Sequence, residues 1–254
     1  MSVHQLARAT VLIAGRVEHL FTDKQIYLRR STCSDIALAA LLRNACRTSR
    51  AIAFLARGGY GSNALALTRS MADIWITVRW LTNKDTQFRT MRFLGFDSRQ
   101  RERIIELLGE YYPAVNLDRF AGNDRHDQQA RGYPRWDMWG PGIGRMADED
   151  ETFETESEGV TSPRWTHDVT FFISSYHLHP TSLGLRHHFL QAGDTFDFRP
   201  RHGEDQFASH GLVSTLQCLS RSASRIGLFW GVNAEDPLSS LWEKYVTPVI
   251  KLAE

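Results

Sequence analysis

The chain has little with which to build a cross-linked or metal-pinned fold. Its three cysteines, Cys33, Cys46 and Cys218, are odd in number, far apart and without CxxC spacing, which excludes a disulfide framework and a thiolate zinc site. Cys46 and Cys218 are expected as small core residues. HExxH is absent, and none of the ten histidines pairs at helical spacing with a nearby acidic ligand, so neither a metal nor another cofactor is expected. There is no run of eighteen apolar residues, and the opening MSVHQLARATVLIAGRVEHLF is broken by polar and charged residues where a secretory segment needs a continuous apolar stretch. A soluble, cytoplasmic protein without a membrane partner is the expectation. A net charge of +1 speaks against a globally basic nucleic-acid binder. No internal repeat is present.

Helix-forming pattern fills the space these absences leave. With 254 residues, 42% hydrophobic and 11% aromatic, the chain can bury a substantial core. Leu6, Ile13, Val17, Leu20 and Phe21 give Met1 to Arg30 helical spacing. A second helix starts near the cap candidates Thr32 and Ser34 and runs to Arg57, with Leu38, Leu42, Ala45, Ile52 and Ala56 on one face. Gly58 and Gly59 end it. A third, Tyr60 to Leu81, places Ala64, Leu67, Met71, Ile74, Val78 and Leu81 on one stripe and Asn63, Ser70, Thr77 and Lys84 on another. Asp85 to Phe96 reads as helix, and Asp97 with Gln100 has the capping-box spacing for the start of another. Residues 111–164 are rich in Gly, Pro, Asn and Asp and form an irregular acidic insert. Helix resumes at Trp165 and stops at Pro180, a strand or hairpin arm is expected near Asp194 to Arg201, and helices run over Gln206 to Trp230 and Leu238 to Leu252. The fold expected is an all-α bundle of six or seven helices in a single domain over residues 1–254, interrupted by the insert.

Charge is unevenly spread. Residues 1–110 hold 17 Arg/Lys against 9 Asp/Glu, whereas residues 111–160 hold 5 against 11. Arg43, Arg47, Arg50 and Arg57 form a stripe on the second helix. Such a stripe is ordinarily solvated surface; the sharper readings are a track for RNA phosphates or a dock for the acidic run Asp148 to Glu158.

Two places could carry chemistry. Arg69 and Asp73, four apart on the third helix, share a face with Ala66, Ile76 and Trp80 and so need partners. They read either as an Arg–Asp bridge tying two helices or as an anion clamp with its orienting carboxylate. Asp168, Phe172, Ser175 and His179 lie along one stripe of the helix ending at Pro180. A Ser–His–Asp triad is excluded there, because Asp168 lies about 16 Å from His179 on such a helix. The plainer reading has His179 near a helix C-terminus and Ser175 bonded to a backbone carbonyl.

The run LLRNACRTSRAIAFLARGGYGSNALALTRSMADIWITVRWL, then WDMWGPGIGRMA and FFISSYHLHPTS, resembles the bacterial family known as domain of unknown function 5677, over about residues 30–190. Its members show a small-residue turn, a helix bearing Arg-Ser-x-x-acid, a Trp-containing loop and a Tyr/Ser segment ending in His-Pro. The resemblance assigns these to Arg69, Ser70 and Asp73, to Trp139, and to Ser175, Tyr176, His179 and Pro180; this chain has Asp73 where the family usually has Glu. The family name implies no activity. A fainter likeness is to the HEPN helical-bundle ribonucleases, whose site is an Arg and a His separated by four to six residues. Arg119 and His126 match that spacing, but they fall in the Gly/Asn/Asp-rich insert. Two functions are expected from these features: an interaction or ligand-sensing module, a homodimer, with Arg69, Asp73 and His179 as its polar cluster, or a metal-independent ribonuclease in which His179 is the acid–base group and Arg69 stabilises the phosphorane. Its RNA would lie along Arg43, Arg47, Arg50 and Arg57.

Overall fold

The apolar periodicity of the first third of the chain becomes three long helices. The computed structural model describes residues 2–23, 32–111, 142–151, 163–178, 190–192, 195–197 and 204–248. Helix α1 (Val3–Asp23) buries Leu6, Ile13, Val17 and Leu20. Helix α2 (Cys33–Arg57) starts at a capping box in which Thr32 and Asp35 satisfy each other's backbone N–H groups. The second Asp35 oxygen accepts from the Trp230 indole at 2.9 Å, so one carboxylate both caps α2 and ties it to the end of a distant helix. Phe21 meets the same indole edge-on at 5.7 Å. Gly59, at φ +81°, turns the chain into helix α3 (Gly61–Asn83) in a conformation a side chain would strain. Helices α2 and α3 run antiparallel from this turn, with Ser49 Oγ 3.7 Å from Met71 Sδ.

Helix α3 is the axis of the fold. Ala64, Met71, Ile74, Val78 and Leu81 are buried as the stripe requires, and Leu67 is half-buried against the same core. The polar stripe behaves otherwise: Asn63 and Lys84 are exposed, but Thr77 is buried, because from Ile74 to Leu81 the helix is covered on every side. Helix α4 (Thr86–Tyr111) is continuous through Asp97, where the sequence suggested a new start. Propagating a helix adds one hydrogen bond per residue whereas a break needs a fresh nucleus, so the Asp97–Gln100 spacing caps nothing.

Part of the insert is ordered helix: α5 (Ile143–Glu151) buries Met146 and Ala147 in the core against α3. The next helical stretch opens as α6 (Pro163–Trp165), widens into a π-helical turn (Thr166–Phe171) and closes as α7 (Phe172–Leu178). Strands β1 (Leu190–Ala192) and β2 (Thr195–Asp197) form an antiparallel hairpin with Gln191 opposite Phe196, matching in part the arm expected near Asp194. Helix α8 (Glu204–Trp230) and helix α9 (Glu235–Tyr245) complete an all-α fold carrying this one small hairpin. No described helix is long and apolar enough to cross a membrane. Cys46 and Cys218 are core residues, and burial pushes both thiols up to about 12.

Helices α3 and α8 lie parallel and very close. Glu204 caps α3 from outside, accepting from Ser62 N at 2.7 Å and from Ser62 Oγ at 3.0 Å. A Cβ on Gly61 would stand 1.8 Å from the Glu204 carbonyl oxygen. Thr68 Oγ1 lies 3.3 Å from the Gly211 carbonyl oxygen, and Arg225 donates to Thr82 Oγ1 at 2.9 Å. Small residues set this spacing, and the polar groups along it are paired.

Candidate functional site

On the other side of α3 sit Arg69 and Asp73, both half-buried and opposite the π-helical turn. They do not form the Arg–Asp bridge the sequence allowed. The Arg69 guanidinium lies over the Phe171 ring, 4.5 Å from its centroid, and His167 stacks on the same ring at 5.2 Å. Among the described residues Asp73 makes no hydrogen bond or ion pair. Burial pushes its carboxyl above the ordinary carboxylate value, with Arg69 and then His167 drawing it back in part.

His167 is held from several directions. Its Nδ1 lies 2.9 Å from Asp168 Oδ1, its side chain is 17% exposed, and a Cβ on Gly144 of α5 would come within 2.9 Å of its Nε2. Asp168 in turn accepts from Arg164 Nε at 2.6 Å, and Arg164 also bonds Asp148 of α5. The hydrogen bond from His167 is the largest effect holding the Asp168 carboxyl below its ordinary value, with Arg164 adding to it. An oriented imidazole and a desolvated carboxylate thus share one face with a guanidinium. Among the described residues no three His, Cys, Asp or Glu side chains gather as a metal-ligand set.

The π-helical turn explains why the stripe from Asp168 to His179 is not realised. The Phe172 N–H reaches the His167 carbonyl, five residues back, and each such bond adds a residue to the turn and rotates the next part of the helix. Asp168 therefore belongs to Arg164 and His167. Ser175 Oγ donates to the Phe171 carbonyl at 2.6 Å, the backbone role given as the plainer reading. Tyr176 is 39% exposed and edge-on to Phe172. His179, Pro180, Trp139, Arg119 and His126 lie outside the described residues. His167 was missed by spacing; its one sequence signal is the acid–base dipeptide His167-Asp168 three residues after Arg164.

On α2, Arg43, Arg47 and Arg57 are exposed, but Arg50 is engaged: its guanidinium holds both Glu18 oxygens of α1 at 2.6 Å. This corrects its place on a free phosphate track. Asp148, the first residue of the acidic run, bonds Arg164 and not the arginine stripe.

Residues 35–196, well over half of the chain, match one family. The chain belongs to the family of unknown function DUF5677. The DUF5677 match runs from α2 through the β1–β2 hairpin and so contains Arg69, Asp73, His167 and Asp168, but it stops short of α8 and α9. No curated protein and no solved structure matches the chain.

Proposed function

We propose that this DUF5677 protein is a ligand-binding module whose site is the face shared by α3 and the π-helical turn. Asp73 carries the reading: a half-buried carboxylate with no bonded partner, beside Arg69 and His167, stands ready for a ligand that offers a hydrogen-bond donor to Asp73 and an acceptor to Arg69. A purely structural tie would bond these groups to one another. Asp73→Asn separates the two. In a binding site, loss of a desolvated charge leaves the melting temperature unchanged or raises it by about 2–4 °C. In a structural tie it lowers it by a similar amount, and that result would sink this reading.

A second reading, chelator-insensitive RNA cleavage, is favoured by one observation. Phe54 is 78% exposed and falls on the same α2 stripe as Arg43, Arg47 and Arg57, which pairs a stacking surface with phosphate-binding cations. In that reaction His167, oriented by Asp168, takes the proton of the attacking 2′-hydroxyl as the phosphorus–5′-oxygen bond breaks, and Arg69 offsets the charge on the phosphorane. Labelled single-stranded RNA tests it. Cleavage lost in a normally melting His167→Ala variant and weakened in Phe54→Ala establishes the enzyme; no cleavage by the parent protein removes it.

A further inference from the structure

A second site lies on the far side of α3. Trp75 and Arg79 are two and six residues beyond Asp73, which at about 100° per residue turns them away from the π-helical turn. They line a cleft of roughly 570 Å³ between α3, α8 and α9, a volume typical of small-molecule sites. Three arginines border it: Arg79, 5% exposed, and Arg221 and Arg225 from α8. Arg225 is fixed in place, donating to Thr82 Oγ1 at 2.9 Å and to the Thr82 carbonyl at 3.3 Å.

Two polar atoms of this cleft have no partner. Trp75 is 3% exposed, and its indole Nε1 is buried without a hydrogen bond among the described residues. Ser220 Oγ of α8 is in the same condition. A buried donor left unpaired costs free energy, so an indole N–H kept at the wall of a cationic cleft marks a place for an acceptor. The α9 wall adds a different chemistry, with Trp242 as a flat apolar surface and Glu235 and Glu243 as carboxylates. Those carboxylates disfavour a bare inorganic anion but suit hydroxyl or amino donors.

We infer that this cleft binds a nucleoside monophosphate: the phosphate by Arg79, Arg221 and the Trp75 N–H, the sugar hydroxyls by the α9 glutamates, the base against Trp242. All lining residues except Trp75 and Arg79 lie beyond the matched family segment, so the site is an addition to what the family shares and is independent of Asp73.

Isothermal titration calorimetry of the whole chain with the four common ribonucleoside 5′-monophosphates tests it, with inorganic phosphate and the free nucleosides as comparisons. At least one nucleotide is expected to bind saturably, at least about tenfold tighter than phosphate or its own nucleoside. Trp75→Phe, which keeps a ring but removes the N–H, and Arg221→Gln are each expected to weaken it about tenfold while melting within a few degrees of the parent. No saturable heat at millimolar nucleotide overturns the inference. So does phosphate binding as tightly as every nucleotide, or an affinity untouched in both variants.

Discussion

The two long contacts of α3 treat buried polarity in opposite ways. Against α8, Ser62 is bonded to Glu204, Thr68 to backbone carbonyls and Thr82 to Arg225, and the helices touch through Gly61 and Gly211. Against the π-helical turn, Asp73 has no bonded partner, Thr170 Oγ1 is buried without one among the described residues, and Arg69 is met by an aromatic ring. A close-packed contact with its polar groups paired holds helices in register; one that keeps a desolvated carboxylate beside an oriented histidine gives up stability for something else. Polar residues on one helix thus divide by whether their partners are already supplied.

Substitutions on each side should keep this contrast or erase it. The largest effect is expected at Gly61→Ala, whose Cβ would collide with a backbone carbonyl at 1.8 Å and force the two helices apart. Urea denaturation should show a loss of about 3 kcal/mol or more. Glu204→Ala should come next, about 1–3 kcal/mol by the same measurement, because it strands the Ser62 N–H and hydroxyl. Asp73→Asn should be smaller and of opposite sign at neutral pH. Since burial raises the folded carboxyl above 3.8, the folded state holds the proton more tightly, and stability contributed by this group falls as pH rises from 3.8 through the raised value. Melting curves from pH 3 to 8 should therefore show the parent losing ground to Asp73→Asn as pH rises; a constant difference would mean that Asp73 carries no desolvation penalty. The smallest effect belongs to Ser175→Ala, within about 0.5 kcal/mol, since its hydroxyl returns to a carbonyl of its own helix.

Elements whose pattern is local were legible in the sequence. The Thr32 cap, the Gly58–Gly59 turn and the apolar faces of α1, α2 and α8 are set by residues a few positions apart. The site was half legible: Arg69 and Asp73 stood out as charges on an apolar face, but their neighbour His167 did not. A 3.6-residue period assigns the wrong face once a π-helical turn intervenes, and nothing in the composition announces such a turn. Helix α5 was hidden for a different reason. Its buried residues are only Met146 and Ala147, set among glycines and acids that read as loop, and they become core through contact with α3.

The parallel pairing of α3 and α8 also bears on how the chain reaches its fold. Thr68 meets Gly211 and Thr82 meets Arg225, a constant separation of 143 residues. Parallel neighbours cannot be joined by a short turn, so everything from α4 to the hairpin is one long excursion that leaves α3 and returns beside it. Closing a loop of that size carries about 4 kcal/mol of chain entropy before any contact of the pair forms. The α1–α2–α3 segment, linked by short turns, is free to assemble first and to present α3 as a template. Glu204 then docks on Ser62, and the small residues of α8 settle along α3 one turn at a time.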